Sequence, residues 1–97
     1  MNELSSNETL IEGKWVTSGS EVIKDSSCER IEWLVSAILK SIGTDESGWE
    51  TLLQDPKDKR YWVLFYGQSE LHGGGPPSLR LISEKKAKLN FNENKNT

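Results

Sequence analysis

Apolar residues recur at i, i+3, i+4 and i+7 from Cys28 through Ile31, Leu34, Val35, Ile38, Leu39 and Ile42. That is the stripe of one helical face. Ser26 and Glu29 have capping-box spacing in front of it, and Gly43 stands where a left-handed C-terminal cap belongs. The pattern predicts a helix over 27–42. Trp33 falls off the centre of the stripe.

Elsewhere short apolar runs are bounded by turn signals. Leu10–Thr17 and Glu21–Lys24 flank Ser18-Gly19-Ser20 and predict a hairpin. Trp49–Gln54 and Tyr61–Tyr66 flank Asp55-Pro56-Lys57-Asp58, a turn with Asp first and Pro second. Ser78–Ile82 predicts a last strand, and Ser83 can cap a short helix over 84–89. The order is ββαβββα. The fold class is α+β: a mostly antiparallel sheet of about five strands packed on one long helix, with a short C-terminal helix.

Tyr61–Tyr66 is apolar on both faces, with Tyr61, Val63 and Phe65 on one and Trp62, Leu64 and Tyr66 on the other. A central strand covered on both sides has that pattern. The second cover must come from the N-terminal hairpin, the C-terminal helix or a partner.

Composition narrows the class. The chain of 97 residues predicts one domain, placed at 10–89, with 1–9 and 90–97 as polar, flexible ends. Its longest apolar run falls far short of the ~20 residues of a membrane span. Met1–Gly13 lacks the basic and apolar regions of a secretory signal, so a cytoplasmic location is expected. One Cys and one His exclude a disulfide framework and the common zinc sites. Residues 1–58 carry 12 acids and 5 bases, whereas 59–97 carry 3 and 7. The acidic front argues against nucleic-acid binding and suits a basic partner.

Candidate chemistry is thin. Ser69, Glu70 and His72 lie close together, but triads are assembled by the fold from separated segments. Gly73-Gly74-Gly75 lacks both phosphate-loop spacings, and Pro76-Pro77 follow it. Asp45, Glu46, Glu50, Asp55 and Asp58 lack the spacing of a calcium loop. Cys28, on the apolar stripe, reads as a small buried hydrophobe. No cofactor and no metal are expected. Four Trp is a high count for this length, and Trp and Tyr are enriched at interfaces. Trp15, Trp49 and Trp62 are expected partly in the core, with Tyr61, Tyr66 and Trp33 nearer the surface.

Five segments together carry a resemblance. They are Gly13-Lys14-Trp15, Arg30-Ile31-Glu32-Trp33-Leu34, Asp45-Glu46-Ser47-Gly48-Trp49, Asp55 to Trp62, and Ser69-Glu70-Leu71-His72-Gly73-Gly74-Gly75-Pro76-Pro77. From about Leu10 to Leu89 the chain resembles the immunity protein 27 family of bacterial polymorphic toxin systems. The chain departs from that pattern at Lys59, where Gly is usual, and at Val63, where an acid is frequent. The resemblance implies a non-enzymatic cytoplasmic inhibitor. Such a protein binds a cognate toxin domain, for example a nuclease used in contact-dependent inhibition, and occludes it.

Candidate partner contacts are Asp45, Glu46, Asp58 and Glu70, paired with toxin Lys or Arg. Trp49, Tyr61 and Tyr66 would act as anchors, with His72 beside them. No membrane partner is expected. Two other classes remain: a small hydrolase using His72 and Glu70, and a small ligand- or peptide-binding module on an open sheet face.

Overall fold

The computed structural model describes residues 3–46, 48–66 and 75–91. In chain order the elements are β1 (Leu10–Glu12), β2 (Trp15–Ser18), β3 (Glu21–Lys24), α1 (Ser26–Trp33) continued by a π-helical turn (Leu34–Ile38), β4 (Lys40–Thr44), β5 (Thr51–Gln54), β6 (Tyr61–Tyr66), β7 (Pro77–Ile82) and α2 (Glu84–Asn90). The expected class holds: an antiparallel five-stranded sheet in the order β1-β7-β6-β5-β4, a separate β2–β3 hairpin, a central helix and a short C-terminal helix.

Strand β6 is central, and its alternation sorts the two cores. Trp62 lies between Leu53 and Leu81 in the ladder, on the face covered by α1, where Leu4, Ile31 and Leu34 join them. Val63 and Leu52 lie on the opposite face, under Ala87 and Phe91 at the C-terminal end. The second cover of β6 is therefore the α2 region. Val63 is fully buried there, so this chain presents no acid at that position.

The long helix is shorter than its stripe predicts. It ends at Ile38, with the Leu39 N–H donating to the Leu34 carbonyl at 2.7 Å, and Leu39 turns extended. Residues 40–44 then form a strand instead of the last helical turn. Leu39 and Ile42 keep helical spacing but serve different layers: Leu39 is buried on the α1 side, and Ile42 packs on the α2 side. Gly43 is no helix cap; it follows a bulge in the β4–β5 ladder. The N-cap also lies one residue earlier. Asp25, not Ser26, accepts from the Cys28 N–H at 2.9 Å, and its Oδ1 also takes the Lys14 N–H at 3.2 Å. The hydrogen bond from the Cys28 backbone, opposed by some burial, holds the Asp25 carboxyl below its usual range. One side chain thus caps α1 and clamps the root of the β2–β3 hairpin.

The first predicted strand is broken into β1 and β2 at Gly13. A Cβ there would press into the Pro77 carbonyl and lie 2.7 Å from the Cys28 sulfur. The closeness permits the Gly13 N–H to reach the Pro77 carbonyl at 2.9 Å, which ties the end of β1 to the start of β7.

Residues 3–9, expected from their polarity to form a free end, lie against the domain. Leu4 is 2% exposed and belongs to the main core. At the other end Phe91 is buried as well, so the packed unit extends beyond 10–89. Glu8 receives both Arg30 Nη groups at 2.8 Å. That hydrogen-bonded pair brings the Glu8 carboxyl down from 4.5 to about 2. A carboxyl with a lowered folded value stabilises the fold fully above its unfolded value, and the gain is lost as pH falls through the folded value. Glu8→Gln is therefore expected to cost about 1 kcal/mol at pH 7, after discounting for solvent screening. It should also flatten the loss of stability between pH 4.5 and 2, as read by urea denaturation across that range.

Candidate functional site

The loop between β4 and β5 is wound around one carboxylate. Asp45 Oδ1 accepts from the N–H groups of Gly48 at 2.9 Å and Glu50 at 3.3 Å. The Asp45 N–H donates to the Glu50 carbonyl at 3.0 Å. Gly48 has φ 82°, a conformation that glycine enters without a Cβ clash. Asp45 is thereby half-buried and turned inward, while Glu46 and Trp49 face solvent. Trp49, expected partly in the core, is 59% exposed.

Strand pairing brings more side chains to this end. Thr44 pairs with Thr51, and Thr51 with Leu64, so the loop lies beside the last residues of β6. Tyr66 there is 39% exposed. Glu12 and Phe65 both oppose Ser78, which places the three in one row. Arg80 lies over the Phe65 ring at 5.0 Å and reaches Glu50 at 3.5 Å. A cleft of about 410 Å³ opens between this row and Trp15 at the hairpin root. Trp15, also expected partly in the core, is exposed.

Among the predicted contacts, then, Asp45, Glu46, Trp49 and Tyr66 share one end of the sheet. Glu70 and His72 follow Tyr66 in the chain and lie outside the described residues, as do Ser69, Gly73 and Gly74. Asp58 and Tyr61 lie at the opposite end, the length of β6 away, roughly 17 Å. Tyr61 is half-buried against the α2-side core, and Trp33 is half-buried against the main core. Glu12, Trp15, Phe65 and Arg80 join the loop end from four separate elements. An arginine in the apolar run 78–82 was the one local signal among them.

The far end is a tight turn. The Lys57 N–H donates to Asp55 Oδ1 at 2.9 Å, and the Lys59 N–H to the Asp55 carbonyl at 2.7 Å. Asp58 takes the Arg60 N–H at 3.0 Å and its Nε at 2.6 Å. Burial pushes the Asp58 carboxyl up, but these two donors outweigh it and hold it below its usual range. Lys59 has φ 68°, the left-handed region, which explains why Gly fits this place in the pattern that the chain resembles. Lys59→Gly is expected to stabilise by about 0.5–1 kcal/mol, since relief of strain exceeds the added unfolded-state freedom. A thermal melt should show a rise of about 2–8 °C.

The separation of the ends also divides the acidic cluster. Asp55 and Asp58 sit in the turn, away from Asp45, Glu46 and Glu50, and no group of three metal-ligating side chains occurs among the described residues. Cys28 is fully buried, its sulfur 3.3 Å from the Lys14 carbonyl that accepts from it. Burial pushes its thiol up, away from the reactive thiolate. No described helix is long and apolar enough to cross a membrane.

The molecule is thus a small α+β domain with exposed aromatic and acidic side chains gathered at one end of its sheet. The chain belongs to the immunity protein 27 family, whose model matches residues 17–83. The family indicates an immunity protein directed against a toxin, and immunity proteins are generally not enzymes. No curated protein and no solved structure matched the chain.

Proposed function

We propose that the protein binds a cognate bacterial toxin domain and neutralises it by covering its active site or substrate surface. The observation that carries this reading is Trp49, held outward beside Glu46 by a loop wound on Asp45. A preorganised aromatic with charge around it is the usual form of a binding hot spot. Asp45 acts as a positioning residue; Glu46, Trp49 and Tyr66 touch the partner. Glu70 and His72 are proposed as further contacts of the same partner. Asp58 and Tyr61 reach only a partner broad enough to span the sheet.

The partner surface is basic, as a nuclease site must be to hold phosphates, and the acidic first part of the chain complements it. Neutralising a lethal enzyme in the cytoplasm of its producer calls for about nanomolar affinity, near −12 kcal/mol, over about 800 Å² per partner.

The test is co-expression with the C-terminal domain encoded immediately upstream. Growth rescue and a stable one-to-one complex are expected. A lethal toxin domain that the folded protein neither binds nor neutralises overturns the pairing. Glu46→Lys should weaken the complex without lowering the melting temperature.

A further inference from the structure

Cations from separate parts of the fold converge on residues 3–9. Arg30, on α1, grips the Glu8 carboxylate and also donates from Nη2 to the Glu3 carbonyl at 2.9 Å. Arg60, at the root of β6, donates to the carbonyls of Ser5 at 2.9 Å and Glu8 at 3.3 Å. Lys57 in the neighbouring turn lies 3.2 Å from Glu3 Oε1. Leu4 sits in one core cluster with Ile31, Leu34 and Trp62. The segment is pre-shaped for this: the Ser5 N–H meets Glu8 Oε1 at 2.9 Å, and the Glu8 N–H meets the Ser5 carbonyl at 3.2 Å.

These contacts divide as they do when one protein reads a peptide of another. Guanidinium to carbonyl is indifferent to side chains. The socket for one leucine and the forked grip on a carboxylate four residues later are selective. Arg30, Lys57 and Arg60 all fall inside the matched span 17–83, whereas the segment they hold falls outside it.

We propose that the groove between α1 and the Asp55–Arg60 turn is a recognition site for acidic, leucine-bearing peptide segments. Residues 3–9 fill it in cis, and the same segment of a second copy of the chain can fill it in trans. The short tether keeps the cis occupant in place through its high effective concentration. The site lies at the opposite end of β6 from the Trp49 loop on which the toxin proposal rests, so either proposal can fail alone.

The test uses the full chain carrying Leu4→Ala and Glu8→Gln, with a synthetic peptide of residues 1–10 added at about millimolar concentration, the range expected for so short a ligand. Amide exchange is followed by segment. In the variant, exchange at 55–60 should accelerate by at least about tenfold while the β5–β7 ladder keeps its protection. The wild-type peptide should restore that protection, and a peptide with the same two substitutions should not. Failure of the wild-type peptide to restore it, or equal restoration by both peptides, overturns the proposal. If the double variant loses the β5–β7 ladder, Glu8→Gln alone carries the test. Faster exchange at 55–60, reversed by the wild-type peptide only, then supports the site. Unchanged exchange overturns it.

Discussion

Trp62→Ala is expected to lower the stability by about 3–5 kcal/mol, the range for removing a fully buried aromatic ring. Trp62 has no exposed surface and stands mid-ladder between Leu53 and Leu81. The Arg60 guanidinium lies 5.2 Å from its ring centre, so the change also strips a cation from its seat. A domain of this size holds about 5–15 kcal/mol in total. The variant should therefore melt about 15–30 °C lower, or fail to fold at the bottom of that range. Trp62→Phe separates packing from polarity. The buried indole N–H has no hydrogen-bond partner among the described residues. Phenylalanine removes that donor and keeps most of the ring, so its cost should stay near 1 kcal/mol. Urea unfolding of the three proteins checks the contrast. Equal losses for Phe and Ala would mean that the indole N–H is bonded in solution.

What was legible in the sequence was local. The apolar stripe from Cys28 to Leu34, the two-sided alternation of Tyr61–Tyr66 and the Ser83 cap each depend on neighbours within a turn or a strand. Ser83 does accept from the Lys86 N–H, at 3.2 Å. The errors arose where tertiary packing reassigned a residue. Ile38, Leu39 and Ile42 continue a helical period, yet Leu39 and Ile42 are apolar because two different layers need them. A period count cannot tell one apolar face from two. Leu4 is a lone leucine in a polar run, and only the fold reveals its socket.

The candidate site divides in the same way. Glu46 and Trp49 stood out as a charge and an aromatic in a polar loop. That Asp45 is spent on backbone N–H groups was invisible, because composition does not say which of two neighbouring acids faces in. Glu12, Phe65 and Arg80 come together only through strand register. The turn was partly legible: Asp55-Pro56 marked it, and the departure at Lys59 pointed to the residue that takes the left-handed conformation.

Trp49→Ala is expected to raise the Kd of the toxin complex about 30- to 1000-fold, the 2–4 kcal/mol of an aromatic hot spot. The melting temperature should stay within about 3 °C, because a mostly exposed side chain contributes little to the fold. Substitutions at Asp45 then tell positioning from contact. Asp45→Asn keeps an acceptor for the Gly48 and Glu50 N–H groups but removes the charge. It should bind within about threefold of wild type, whereas Asp45→Ala should loosen the loop and weaken binding by about tenfold or more. A carboxylate that paired directly with a toxin cation would instead lose its affinity in both variants. Association rates supply the remaining distinction. Glu46→Lys should slow association and remove much of its salt dependence, while Trp49→Ala should act mainly on dissociation. Surface plasmon resonance at two ionic strengths reads both. A Trp49→Ala complex as tight and as long-lived as wild type would place the toxin on another face of the sheet.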